Sequence, residues 1–422
     1  MKFDIIIVGA GPAGLSCAYF LAKRGFKVLV LERGREVGSK CVFGGRIYSG
    51  ILKKLLPDFS KNLKIERWIC KERISLLSKD SALTLELSLE DSENSFTTYM
   101  CNLLNWLENR VEEHGGLVIT SAKVDSLMVK EGRIIGVKCG NEEFVSNVVI
   151  DAEGVNRLLI EKIREVELKP KHVGVGLKET YKLNRRIINE RFNLNDEEGV
   201  AWILIGYPTQ YIPGGAFLYT NRDTISLGIV FYLDSAMKYG IDVHEVFEKF
   251  KQHKIIRSIL KDGELIEYSA HLIPTHPEVI LNKPYGDGYL VIGDAAGFTI
   301  HIGPIIRGVD LAITSAYLAS EVVVKAFELD SYNEETLSMY DNLIRRSILL
   351  KELKTYSRAV KTLGHERFYR NYINFLTDVV KDYFNIDVES KRLSNLIKEH
   401  SKRHDLSLWR IFKDYLNILR VI

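Results

Sequence analysis

Three glycines, Gly9, Gly11 and Gly14, stand in G-x-G-x-x-G spacing within "DIIIVGAGPAGLSCAYFLAKRGFKVLVLERG", Asp4 to Gly34. That spacing suits the pyrophosphate of a dinucleotide. Gly9 permits a tight turn, Gly11 lets the phosphates approach bare backbone, and Gly14 lets the next helix pack on a sheet. Free N–H groups and the positive end of that helix then face the phosphates. Pro12 and Ala13 in the turn, with Arg33 and Gly34 further on, complete the residues expected around the ligand. On this stretch alone both FAD and NAD stay open.

The elements needed to position such a turn are all present. Ile5 to Val8 is a short apolar run of the kind found in parallel strands buried on both faces. A helix is expected over 14–24, Gly25 stops it, and Lys27 to Leu31 return as a second parallel strand. Glu32 lies 18 residues beyond Gly14, where an acidic group bonds ribose hydroxyls. Two later stretches repeat the pattern of strand, acidic residue and glycine: "NVVIDAEGVNR" (147–157) and "DGYLVIGDAAGFTIHIGPIIRGVDLAITSAYLAS" (287–320). Together the three resemble the glutathione-reductase-type flavoproteins of the aromatic-hydroxylase branch. That resemblance implies FAD, with Asp294 beside the ribityl-pyrophosphate and a helix after Gly303 aimed at the flavin, where its positive end suits the charge of the reduced ring. It also implies that Asp151, Gly154, Gly293, Gly303, Pro304, Ile305 and Ile306 surround the cofactor. Val124 is expected to touch adenine through its backbone, and Cys41, Gly44 and Gly45 to contribute from a glycine-rich loop.

At 422 residues the chain exceeds one ordinary core. Lys and Arg number 58 against 55 Asp and Glu, so the charge balance points to no nucleic-acid partner. Five cysteines without CxxC spacing suggest neither a disulfide framework nor a metal site. A reducing cytoplasm fits them. No leader is expected ahead of Asp4, and no apolar run is long enough to span a bilayer. Helices are read at 51–56 and 101–114, and strands joined by turns at Glu131-Gly132 and Gly140-Asn141. From 160 to 280 strands alternate their faces, as in "TISLGIVFY", with "TNRD" (220–223) as a hairpin loop. Beyond 330 the pattern is helical.

The predicted fold class is α/β: a glutathione-reductase-type Rossmann FAD-binding domain (1–160 with 281–330), an inserted antiparallel β-sheet substrate domain (161–280) and a helical C-terminal region (331–422). Fold alone does not name a reaction. However, "GSKCVFGGRIYSG" (38–50), "GGAFLYTNRDTISLGIV" (214–230) with "EYSAHLIP" (267–274), and "IGPIIRGVDLAI" (302–313) are each similar to the electron transfer flavoprotein:quinone oxidoreductases of the FixC type. The similarity runs to about residue 384. The chain departs from that family at Met100, His301 and Ile305, where arginine, a nearby asparagine and threonine are usual.

The resemblance implies an FAD enzyme that passes electrons from reduced electron transfer flavoprotein to a quinone. Long members of the family carry a [4Fe-4S] domain with four cysteine ligands. Here no cysteine follows Cys139, so a small ferredoxin-like iron-sulfur protein is implied as a separate partner. His301 and Arg307, flanking the start of the flavin-facing helix, are the catalytic candidates; His271 reads as structural. A cytoplasmic protein, peripheral on the inner face of the cell membrane, is expected. Two features suit a membrane surface: the basic run Arg345, Arg346, Lys351, Lys354, Arg358, Lys361, Arg367, Arg370, and a final helix with Leu408, Ile411, Phe412, Tyr415 and Leu419 on one side. A solvated basic face and a helix packed on the body are the alternatives. Rival functions are a geranylgeranyl-reductase-type lipid ene-reductase, a hydroxylase and a flavin subunit without turnover of its own.

Overall fold

The computed structural model describes residues 2–39, 45–90, 92–164, 167–302, 305–386 and 390–420. Side chains are described for all of these except 302 and 358–361.

Two large sheets organise the chain. In the first, strands Tyr289–Val291, Glu142–Asp151, Lys2–Val8, Val28–Leu31 and Leu117–Ile119 run parallel in that order. Ile5, Ile6 and Ile7 are wholly buried, as an apolar strand covered on both faces must be. Strands Ser126–Lys130 and Arg133–Cys139 continue antiparallel from Glu142–Asp151, joined by the two glycine turns read in the sequence. Helix Pro12–Ala22 packs against both Met100–Glu113 and Val309–Glu328.

The second sheet has nine strands. Glu264–Pro274, Val173–Lys182, Thr224–Tyr232, Gly214–Thr220 and Glu198–Gly206 follow one another, all antiparallel. The sequence reading took this layer from 161–280; the sheet also draws Arg46–Tyr48, Arg67–Leu77, Ala82–Ser88 and Ser95–Thr97 from the first hundred residues. Arg67–Leu77 lies parallel to Glu198–Gly206, and a pairing between strands about 120 residues apart has no local signature. Arg67 locks it. The guanidinium is fully buried and donates to the carbonyls of Asn195 (3.1 Å), Glu198 (2.7 Å), Asn221 (2.7 Å) and Arg222 (3.2 Å).

The Gly-Asp turn is followed by a hairpin, Ile300–Ile302 with Ile305–Arg307, before the long helix starts at Val309. The sequence reading placed that helix after Gly303 with no strand pair before it; isoleucines, stiff at χ1 and suited to a pleated surface, take strand there.

From 334 onward the described chain is helical, as expected. The last helix, Leu408–Leu419, sits on the body by Ile411 and by Asp414, which accepts from Arg367 Nε (2.8 Å) and Tyr372 Oη (2.9 Å). Its other face is bare. Trp409 is 70% and Phe412 60% exposed, and Leu408, Tyr415 and Leu419 are exposed beside them.

Candidate active site

Between the sheets lies a cavity of about 320 Å³, within the usual range of roughly 300–1,000 Å³ for cofactor pockets. One end is largely backbone. Gly9, Gly11, Pro12, Ala13, Glu32, Arg33, Val124 and Gly154 line it, all expected from the sequence. A Cβ on Gly14 would fall 1.9 Å from the Gly9 carbonyl oxygen, so this glycine is what lets helix and turn close up. A Cβ on Gly11 would meet nothing within 4 Å in the protein, and Gly11 borders the cavity. It therefore leaves room for a ligand rather than for the fold. Gly11 is the N-cap of helix Pro12–Ala22, whose first N–H groups lack intrahelical partners. The Glu32 carboxylate accepts from Ala10 N (2.9 Å) and Gly34 N (2.6 Å), tying the turn to the end of the second strand. A dinucleotide pyrophosphate and ribose fit this end.

Asp294 is at the middle of the cavity. Burial raises its pKa, against the Thr299 hydroxyl, which donates at 3.1 Å, and the charge of Arg157. Arg157, wholly buried, donates to Val279 O (2.5 Å) and Asp294 O (3.4 Å), joining the turn after Asp151 to the turn after Gly293. His271 also lines the cavity, and burial lowers its pKa, which keeps it neutral at pH 7.

Side chains make the far end. Phe217 and Tyr219 alternate onto one face of Gly214–Thr220 and stack at 5.2 Å. Val230, Ile273, Ile306, Gly308 and Val309 close the wall together with Gly45 and Arg46. The long helix thus presents its N-terminus here. A second cavity of about 50 Å³ shares Arg46, Tyr219 and Ile306 and is bordered by Tyr48, Ile305 and Arg307. Arg46 Nη1 donates to Glu72 (3.0 Å). Arg307 pairs with Asp310 (Nε, 2.8 Å) and Glu352 (Nη1, 2.8 Å) and lies over the Tyr48 ring.

The other sequence candidates take supporting positions. Gly14, Gly34, Asp151 and Gly293 lie behind the wall: Asp151 Oδ1 accepts from Glu153 N (3.0 Å), and Gly293 N donates to Ser315 Oγ (3.0 Å). Burial, reinforced by the like charge of Glu153, raises the Asp151 pKa. His301 faces the Tyr232 hydroxyl through Nδ1 and borders a cleft beside Ile306 rather than the large cavity. Cys41, Gly44, Gly303 and Pro304 lie outside the described residues, as do the side chains of Arg358 and Lys361. In the basic run, Arg345 pairs with Asp341 and Arg367 with Asp414. The sequence reading missed Arg46, Phe217, Tyr219 and Thr299 and took His271 for structural. Strand alternation was the available signal, placing 217 with 219 and 271 with 273.

Comparison with known proteins gives the arrangement its relatives. Residues 1–85 match the Thi4 family and residues 173–273 match the "ETF-QO, ubiquinone-binding" family. Among solved structures, a geranylgeranyl bacteriochlorophyll reductase-like protein from Thermoplasma acidophilum superposes with a TM-score of 0.74 at 19% identity, over 96% of this chain and 98% of that one. The flavin-dependent brominase Bmp2 gives 0.64 at 16% identity over 96% and 99%. These establish the fold. The probable electron transfer flavoprotein-quinone oxidoreductase YdiS of Escherichia coli K12 is 35% identical over 98% of this chain and 97% of its own length. Protein FixC of the same strain is 36% identical over 95% of each chain. With that level of identity over nearly its whole length, the chain belongs to the family of FixC and the electron transfer flavoprotein-quinone oxidoreductases.

Proposed function

We propose that the protein binds FAD non-covalently in the 320 Å³ cavity and passes electrons from reduced electron transfer flavoprotein to a quinone, with a separate ferredoxin-like subunit. One observation carries this reading. The segment matching the ubiquinone-binding family, 173–273, supplies Phe217, Tyr219, Val230, His271 and Ile273 to the cavity, facing the glycine turn of the first sheet.

Bound FAD supplies a centre that accepts and releases electrons. The chain's own task is to hold it and tune it. The glycine turn and helix Pro12–Ala22 receive the phosphates, and Glu32 is oriented toward the ribose. Helix Val309–Glu328 brings its positive end to the far wall, where it stabilises negative charge on a reduced ring. Arg307, fixed by two carboxylates, anchors the hairpin beside that helix and borders the smaller cavity, where it faces quinone charge. His301, with Tyr232 behind Ile306, is placed to pass a proton toward the same end, and neutral His271 on the wall is a second proton carrier.

A quinone with a lipid tail resides in a membrane. Among the described residues no helix is long and apolar enough to cross one. The bare face of Leu408–Leu419, with Arg410, Lys413 and Arg420 alongside, suits docking on an anionic lipid surface. The proposed separate subunit would supply the four cysteine thiolates of an iron-sulfur cluster.

Anaerobic mixing tests the reading. Reduced electron transfer flavoprotein, but not NADH, should bleach the bound flavin, and a soluble quinone should restore its colour. Saturation of geranylgeranyl chains without quinone turnover would replace this function with lipid ene-reduction.

A further inference from the structure

Away from the cavity, helices Asn371–Phe384 and Leu393–Arg403 face each other across a four-residue cluster. Asp378 and Asp382 are one turn apart on the first helix. His400 and His404 are four residues apart on the second and its C-cap, a spacing that puts both imidazoles on one helical face. His404 Nε2 lies 2.9 Å from Asp378 Oδ2, and His400 Nε2 lies 2.9 Å from Asp382 Oδ2. The imidazole rings stack with centroids 6.1 Å apart and planes 17° apart. One donor atom each from Asp378, His400 and His404 falls within a sphere of contacts no wider than 4.8 Å.

We propose that this cluster is a binding site for one divalent cation of the zinc class, ligated by Asp378, His400 and His404, with Asp382 holding the His400 ring and water completing the shell. In a tetrahedral site with bonds of about 2.0–2.1 Å, neighbouring donors stand roughly 3.3 Å apart. The His404–Asp378 contact, at 2.9 Å, is already near that spacing, and a donor of His400 lies within 4.8 Å of both. Mixed imidazole and carboxylate ligands favour zinc or nickel over magnesium or calcium, which take oxygen. Charge also agrees: the Asp378 ligand, with Asp382 bonded to His400, offsets the charge of a divalent cation and lowers the penalty for burying it.

Paired hydrogen bonds alone serve the cluster less well. His400 is 0% exposed, and its Nδ1 is buried with no hydrogen-bond partner among the described residues. If Nε2–H donates to Asp382, a bare Nδ1 lone pair is left in the interior, which is costly. A cation bound by either ring nitrogen frees the other to carry the proton, as in most metal-bound histidines. The surrounding cations do not compete for the site: Lys381 pairs with Asp80 at 2.8 Å, and Lys402 and Arg403 are exposed. The His404 carbonyl accepts from Asn371 Nδ2 at 2.8 Å, so the cluster also fixes the bend from which helix Leu408–Leu419 departs.

The test uses the whole chain with its flavin, stripped by chelator and titrated with zinc chloride. One zinc per chain by elemental analysis is expected, with a rise in Tm that magnesium does not reproduce. D378N, whose carboxamide can still accept from His404, and H404Q should each weaken zinc binding by at least about tenfold while flavin content and circular dichroism stay unchanged. C101S, which removes the exposed thiol, should bind zinc as the parent does. Hydrogen exchange on the unsubstituted protein is independent of any variant's folding: zinc should slow exchange within 371–404 and not elsewhere. Substoichiometric zinc, equal retention by D378N and H404Q, or protection outside 371–404 would overturn the site.

Discussion

The two ends of the 320 Å³ cavity are built differently. The dinucleotide end is backbone: a turn and a helix start drawn from 26 consecutive residues, Gly9 to Gly34, with Val124 and Gly154 added. The far end is made of side chains from strands separated by up to about 260 residues, from Arg46 to Ile306. A backbone site tolerates little steric change, because every N–H and every missing Cβ is already used. A side-chain site can be reshaped one residue at a time. The first end should therefore fail abruptly and the second gradually.

The largest expected effect is at Gly14. G14V drives a branched side chain into the Gly9 carbonyl, so a loss of about 3 kcal/mol or more is expected, with Tm and flavin content falling together. G11A separates the two properties. With open space around the new methyl, stability should stay within about 0.5 kcal/mol, while FAD affinity drops about tenfold or more, read by flavin titration of the stripped protein. Normal FAD affinity in G11A would show that the turn does not cradle phosphate.

Phe217→Leu probes the opposite end. Loss of its stack on Tyr219 is worth about 1 kcal/mol, or roughly fivefold in KM for a soluble quinone, with flavin content unchanged. A matching loss of FAD would mean that the far end holds the cofactor as strongly as the turn does.

His271→Gln gives the smallest effect, seen as a change of slope. Burial depresses the histidine's folded pKa below 6.5, so below that pH the unfolded chain binds the extra proton and the folded chain resists it. The histidine's stability contribution is thus present above pH 6.5 and lost as the pH falls through the folded pKa. Thermal melts between pH 5 and 7.5 should show a shallower decline on acidification in H271Q than in the parent.

The same contrast explains how much was legible beforehand. Gly9, Gly11, Glu32 and Asp294 could be read because turn sterics and helix starts are local and leave fixed spacings. Phe217, Tyr219 and His271 are ordinary residues of alternating strands, and only the pairing of those strands brings them to the cavity wall. The hairpin at 300–307 escaped because a glycine motif was read straight into the helix that follows it. Strand Arg67–Leu77 sits among dinucleotide-binding elements in the chain yet belongs to the other layer. In the final helix, the apolar stripe was visible but its fate was not: buried Asp414 and half-buried Ile411 hold the body while Trp409 and Phe412 face outward.

The grip of Arg67 on four distant carbonyls bears on how the polypeptide is made. Its strand is synthesised well before Glu198–Gly206, and at about 5–20 residues per second the gap lasts on the order of ten seconds. Throughout that delay one strand edge waits beside the ribosome, its Arg67 without the four carbonyls it will bind and its partners limited to strands 82–88 and 95–97. Slow translation or scarce chaperone should thus lower the yield of native enzyme well before either changes its melting temperature.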